Sequence, residues 1–257
     1  MKKKQAQKPV VSILLPVYNN EAFLKNCLES LRAQSFRNFE IIAIDDDSTD
    51  RSYRLLLRAK KKDKRIKVYK NKKHYGLAVM LNRMVRRSKG QCIAFMSPHD
   101  VSLKNRIRAQ LLFLKKHPQA AGVGTQCFFI NKNSKKIGKS LFPEGEEEIV
   151  QHLLSALSLQ PESVMLNRAV LPKDVLYFKP TSYPFVYTQV LIQCSRYAPF
   201  YNLKHAYYLH RKTSYTTPSA INTLPSLMKT IIKSIALYDH KPSFQSLFAP
   251  FFTKTAS

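Results

Sequence analysis

Apolar residues in the first half of the chain concentrate in short runs, at residues 10–17, 39–45, 66–69 and 91–96. The run over residues 10–17 is almost continuously apolar, and that over 39–45 is rich in β-branched residues. Buried parallel strands covered on both faces have this character. Between the runs the apolar period changes to that of a helix. Phe23, Leu24, Cys27, Leu28 and Leu31 share one face of a segment that reaches about Gln34. Tyr53, Leu56 and Leu57 give residues 52–62 an inward face opposite a heavily basic one. A further helix follows the turn His74-Tyr75-Gly76-Leu77 and ends near Gly90, which suits the position just past a helix C-cap. The last of this series covers residues 103–117 and is closed by Pro118. Strands alternating with helices at this spacing predict an α/β fold with a mostly parallel sheet flanked by helices.

Sheets of this kind bind ligands at the carboxyl ends of their strands. Three turns then point at one crevice: Tyr18-Asn19, Asp45 to Ser48, and Ser97 to Asp100. The second turn closes the stretch IIAIDDDSTD, with four acids in six residues. Carboxylates crowded at a strand end repel one another unless a cation or hydrogen-bond donors lie between them. A polar ligand site and a solvated turn capping the next helix are the two readings of that stretch. Tyr18 can stack on a nucleoside base or be a surface turn aromatic, and Asp45 can accept from a ring N–H or ribose hydroxyls. Neither a GxGxxG fingerprint nor a GxxxxGK[ST] phosphate loop is present.

Charge widens the choice of partners. The 257 residues carry 43 Lys+Arg against 16 Asp+Glu, a formal net charge of +27 spread along the chain. Nucleic acid, an anionic lipid surface and phosphorylated substrates all suit such a field. Cys27, Cys92, Cys127 and Cys194 stand far apart inside apolar segments, as buried free thiols in a reducing compartment do. The opening MKKKQAQKPVVSILLPVY imitates a secretory leader, but Pro16 interrupts its apolar run, so it reads as a strand after a basic arm. Leu224, Leu227, Met228, Ile231, Ile232, Ile235 and Tyr238 recur at helical spacing with Lys229 and Lys233 opposite. That helix can lie on an anionic membrane or pack on the body.

The stretch VSILLPVYNNEAFLKNCLESLRAQSFRNFEIIAIDDDSTDRS resembles the opening of the family 2 glycosyltransferases. The likeness continues through HYGLAVMLNRMVRRSKGQCIAFMS and SLKNRIRAQLLFLKKHPQAAGVGTQCFFINKNSKKIG, so it covers about residues 10 to 140 in order. The resemblance implies the GT-A fold and a nucleotide-diphosphate sugar donor, with a UDP-sugar as first choice. It assigns the nucleotide-sugar contacts to Pro16, Val17, Tyr18, Glu21, Asp45, Asp46 and Ser48. Gly76, Leu77 and Asn82 match the element that closes over the nucleotide, and Ser97, at the end of the fourth strand, is assigned to the nucleotide-sugar as well.

Two departures from the family limit what carries over. Where the family shows an Asp-x-Asp sequence that holds Mg²⁺ or Mn²⁺, this chain has Ser97-Pro98-His99, followed by Asp100. His99 and Asp100 are therefore either a reduced metal site, better suited to Mn²⁺ than to Mg²⁺, or plain turn and N-cap residues. The family's general base lies in an aromatic-rich segment whose counterpart here, SYPFVYTQVLIQC, holds no acid. Asp100 and Asp174 are the remaining catalytic candidates, and His205 and His210 read as structural.

The domain expectation is a basic arm over residues 1–9 and a GT-A body over 10–215. That body divides into a nucleotide half (10–125) and an acceptor half (126–215), and a helical, aromatic tail follows over 216–257. Three functions remain. The first is a nucleotide-sugar-dependent, inverting glycosyltransferase acting on a cell-surface glycan or lipid-linked acceptor, cytoplasmic and peripheral at the inner face of a membrane. The second is a pseudo-glycosyltransferase that keeps the fold and nucleotide binding without turnover. The third is a basic nucleic-acid-binding protein, which lacks any recognition signature.

Overall fold

The computed structural model of the protein describes residues 8–151, 158–180 and 185–212, together with Met228 and Ile232. The predicted alternation appears as β1 (Val11–Val17), α1 (Glu21–Arg32), β2 (Phe39–Asp45), α2 (Ser52–Lys62), β3 (Ile66–Lys70), α3 (Leu77–Arg87) and β4 (Cys92–Phe95). The order continues with β5 (Val101–Ser102), α4 (Arg106–Lys116), β6 (Gly122–Ile130), β7 (Lys136–Lys139), α5 (Glu146–Gln151), β8 (Met165–Asn167), α6 (Phe185–Ser195) and β9 (Phe200–Arg211).

One sheet runs in the order β3-β2-β1-β4-β8-β6-β9-β5, with β7 paired to β6. The β3-β2-β1-β4 half is parallel. Beyond it β8 is antiparallel to both β4 and β6, and β9 returns parallel to β6. Strand alternation sorts the core into two layers. Val11, Ile13, Leu15 and Val17 face one side, with Leu24, Leu28 and Leu31 of α1, Leu56 of α2 and Ile107 of α4. Leu14, Ile42 and Ile44 face the other, with Met80, Leu81 and Met84 of α3 and Val190, Leu191 and Cys194 of α6. All four cysteines are buried and free. Among the described residues no helix is long and apolar enough to cross a membrane.

Several expectations need correction. Leu57 is exposed, and Ser52 and Ala59 join Leu56 on the buried face of α2, which packs on α1, β2 and β3. Helix α3 stops at Arg87 with Ser88 as its C-cap, so Gly90 is not the residue past the cap. Gly90 instead lies against the backbone of β1, where an added Cβ would stand 2.5 Å from the Ser12 nitrogen. The helix expected from residue 103 starts at Arg106, because Val101 and Ser102 pair with Leu209 and Tyr208 of β9 as a short strand. The tail over 216–257 lies outside the described residues except for Met228 and Ile232, both helical and exposed.

Candidate functional site

The strand ends β1, β2 and β4 bring the three expected turns together. After β1, Tyr18 is 40% exposed and Asn19 takes a left-handed φ of 51°. Asn20 occupies the N-cap position of α1 without capping it through its side chain. Its Oδ1 accepts from the Tyr18 nitrogen at 3.0 Å, which leaves its amide to donate to His99 Nε2 at 3.0 Å. The Ser48 hydroxyl accepts from the Asn19 nitrogen at 3.0 Å, so the first and second turns are stitched to each other.

The aspartates after β2 are not equivalent. Asp45 is fully buried; its Oδ2 accepts from the Ser48 nitrogen at 3.1 Å, while its Oδ1 is buried with no hydrogen-bond partner. Asp46, also fully buried, collects donors from the next loop: Asn71 Nδ2, the Tyr75 and Gly76 nitrogens at 3.0 and 2.7 Å, and His74 Nδ1 at 3.0 Å. Gly76 has φ 85°, the left-handed region that favours glycine, and it begins α3. Pinned in this way, the loop lays the His74 ring against Tyr18, with centroids 3.9 Å apart. Asp47 turns outward with φ 63° and meets Lys70 Nζ at 3.5 Å. Glu21 spends its carboxylate on Arg51, through the backbone nitrogen at 2.9 Å and Nε at 2.6 Å, and so closes the acidic turn from outside.

At the end of β4 the expected metal ligands point apart. Asp100 is 1% exposed; its Oδ1 accepts from the Arg211 nitrogen at 2.8 Å and its Oδ2 from His210 Nδ1 at 3.2 Å. Burial alone lowers a histidine, but the Asp100 charge and hydrogen bond outweigh it and hold His210 above its ordinary value. For His99 burial prevails over the Asp100 charge, and its pKa is lowered. With Nε2 taken by Asn20, the neutral ring carries its proton on Nδ1, a buried donor with no partner. His99 thus presents an N–H rather than a lone pair. The Ser97 hydroxyl accepts from the His99 nitrogen at 3.3 Å. Among the described residues no three His, Cys, Asp or Glu converge as a metal group. This donor set does not fit a divalent ion.

The turns enclose a crevice of about 170 Å³ lined by Pro16, Tyr18, Asn20, Leu77, Met80, Ser97, Pro98, His99, Glu162 and Tyr187. Pro16, Tyr18, Leu77 and Ser97 of the sequence-predicted set line it directly. Val17, Asp45, Asp46 and Ser48 form the strand ends and turn behind it, and Gly76 opens α3. Asn82 does not reach it. Its amide donates to the Phe178 oxygen at 2.8 Å and its Oδ1 accepts from the Phe178 nitrogen at 2.9 Å, which clamps the segment before α6. Asp174 is exposed in a turn and is not a lining residue. Asn20, Met80, Glu162 and Tyr187 line it from outside the sequence-predicted set. A lone acid in QPESV, the only carboxylate between Glu148 and Asp174, was the available signal for Glu162.

The family model described as "Glycosyl transferase family 2" matches residues 12–171. The putative glycosyltransferase EpsE of Bacillus subtilis is 37% identical over 118 residues, which is 46% of this chain and 42% of that protein. The Escherichia coli UDP-Glc:alpha-D-GlcNAc-diphosphoundecaprenol beta-1,3-glucosyltransferase WfgD is 28% identical over 180 residues, 70% of this chain and 66% of that one. The chain thus spans under half the length of EpsE and about two thirds of WfgD. Among solved structures, S. aureus TarS 1-349 in complex with UDP-GlcNAc superposes with a TM-score of 0.74 at 21% identity, covering 94% of this chain and 71% of that one. The fold is GT-A, and the chain belongs to glycosyltransferase family 2.

Proposed function

We propose that the crevice binds a UDP-sugar and that the chain transfers the sugar to a glycan or lipid-linked acceptor, with inversion at the anomeric carbon. One observation carries the reading: two neighbouring turns hold a buried acceptor, Asp45 Oδ1, and a buried donor, His99 Nδ1–H, neither with a partner among the described residues. Such groups cost free energy unless something pairs with them. A nucleoside diphosphate offers both complements, since its ring N–H or ribose hydroxyls donate to Asp45 and a phosphate oxygen accepts from His99. The Tyr18 ring, backed by His74 on one face, leaves its other face for the base. The N-terminus of α3, whose Leu77 lines the crevice, favours an anion. UDP-GlcNAc in TarS and the diphosphoundecaprenol-linked acceptor in WfgD's name support this choice of donor and acceptor.

Calorimetric titration of UDP tests the site. Losing a hydrogen bond to a charged group costs about 1.5–3 kcal/mol, so Asp45→Asn is expected to weaken UDP by roughly 10- to 150-fold. No heat with the native chain, or native affinity in Asp45→Asn, rejects the reading. A second reading, nucleotide binding without turnover, is favoured by Asp100 being tied into β9 and by α6 carrying no acid. UDP-sugar turnover that disappears in Asp45→Ala would rule it out.

A further inference from the structure

We propose that Glu162 is the general base of the transfer, a role that rests on the crevice being a UDP-sugar site. Glu162 is 2% exposed and is the single carboxylate among the described residues lining the crevice. The order of strands fixes where along the ligand it stands. Asp45 ends β2, Tyr18 follows β1, Ser97 and His99 follow β4, and Glu162 stands three residues before the start of β8, the next strand in line. Because β8 is antiparallel to β4, its beginning lies at β4's carboxyl end, where the Phe95 nitrogen donates to the Val164 oxygen at 3.0 Å. From β2 to β8 is three strand spacings, roughly 14 Å, the reach of an extended nucleoside diphosphate. With the nucleoside at Tyr18 and Asp45 and the diphosphate at His99, the sugar's anomeric carbon falls beside Glu162.

The turn over residues 161–163 is held by its backbone and by neighbours. Arg106 Nη2 donates to the Glu162 carbonyl at 3.1 Å, Gln110 Nε2 to the Ser163 oxygen at 2.8 Å, and the Ser163 nitrogen and hydroxyl to the Gln160 oxygen at 2.9 and 2.8 Å. Gln160 Nε2 donates to Glu162 Oε2 and orients the carboxylate. The titratable groups that feel its charge are Tyr187 on α6, Cys127 on β6, and Tyr208 and His210 on β9. In the transfer, the acceptor hydroxyl oxygen bonds to the anomeric carbon and its proton passes to the Glu162 carboxylate. The bond from that carbon to the diphosphate breaks, and its electron pair leaves on the β-phosphate oxygen as UDP.

The test measures UDP binding and UDP release from UDP-GlcNAc and UDP-glucose, with water as acceptor, in the native chain, Glu162→Gln and Glu162→Asp. General-base loss is worth roughly 10²- to 10⁴-fold, so Glu162→Gln is expected to lose at least about 100-fold in kcat while its UDP Kd stays within about threefold. Glu162→Asp, which keeps a carboxylate, should retain the acidic limb of the pH profile that Glu162→Gln loses. Formate should restore part of the rate in Glu162→Ala. Native kcat and an unchanged acidic limb in Glu162→Gln overturn the assignment and leave the nucleotide reading standing. So does a native chain that binds UDP but releases none from either donor. Loss of UDP binding in both the Gln and Asp variants makes Glu162 a scaffold residue and also overturns it. A native chain that binds no UDP overturns the nucleotide reading, and the base with it.

Discussion

At the scale of single residues, three adjacent aspartates with the same side chain do three different things. Asp45 keeps an unpaired oxygen, Asp46 is saturated by donors, and Asp47 faces solvent beside Lys70. Asp46 is therefore the strongest test of how the site is built. Asp46→Asn replaces one acceptor oxygen by an amide that must face either Asn71 Nδ2 or the Tyr75, Gly76 and His74 donors. With hydrogen bonds to charged groups worth about 1.5–3 kcal/mol each, this variant is expected to lose roughly 2–4 kcal/mol in denaturant unfolding. It should also bind UDP more weakly, because the loop that sets His74 against Tyr18 comes loose. Unchanged stability would show that the loop holds itself. Much of this was legible in the sequence: an acidic cluster at a strand end, in a chain so poor in acids, marks a site, and Tyr18 and Asp45 follow from the same turn logic. Glu162 was not legible, since a lone acid after proline carries no periodicity and only the antiparallel return of β8 brings it to the crevice.

Among the elements, the parallel half of the sheet was readable because each strand is a buried apolar run between amphipathic helices. The half built from β6, β8 and β9 was not, because its pairings are long-range and its strands mix polar and apolar residues. The β1–β4 pair shows how tightly the parallel half is assembled. The Ser12 hydroxyl donates to Glu40 Oε1 at 2.6 Å and accepts from the Gly90 nitrogen at 2.8 Å, and the Lys89 nitrogen reaches Glu40 at 2.8 Å. Burial raises the Glu40 pKa, but the hydrogen bonds from Lys67, Ser12 and Lys89 and the Lys67 charge outweigh it, so the carboxyl is held below its ordinary value. Gly90 is at the centre of this arrangement. A Cβ there would meet the Ser12 nitrogen at 2.5 Å, the Val11 carbonyl carbon at 2.7 Å and the Cys92 oxygen at 2.9 Å. All are backbone atoms that cannot swing aside. Gly90→Ala is thus expected to destabilise the chain by about 2–3 kcal/mol, read as a lower denaturant midpoint. A glycine just past a helix C-cap, as the sequence suggested, would have tolerated the change better.

For the molecule as a whole, the distribution of charge matters more than its sum. Of the 16 acids, Glu40, Asp45, Asp46, Asp100 and Glu162 are buried, so the +27 excess is expressed outward with few carboxylates to offset it. Basic segments near an anionic leaflet gain roughly 1 kcal/mol per Lys or Arg, within a Debye length of about 10 Å at 0.1 M salt. Met228 and Ile232, one helical turn apart in the tail's apolar stripe, are 47% and 60% exposed. Two exposed apolar residues at this spacing add burial in the interface to the attraction. A chain held at a membrane in this way would meet a lipid-linked acceptor there. The chain is expected to sediment with phosphatidylglycerol vesicles at about 0.1 M salt, and not with phosphatidylcholine alone. Release is expected at about 1 M salt, where the Debye length is about 3 Å. Truncation before residue 224 separates the two contributions. If sedimentation falls, the apolar stripe contributes; if it persists and stays salt-sensitive, the body's charge suffices. No sedimentation with anionic vesicles at low salt would remove the membrane from the account and leave the basic surface to serve a soluble polyanion.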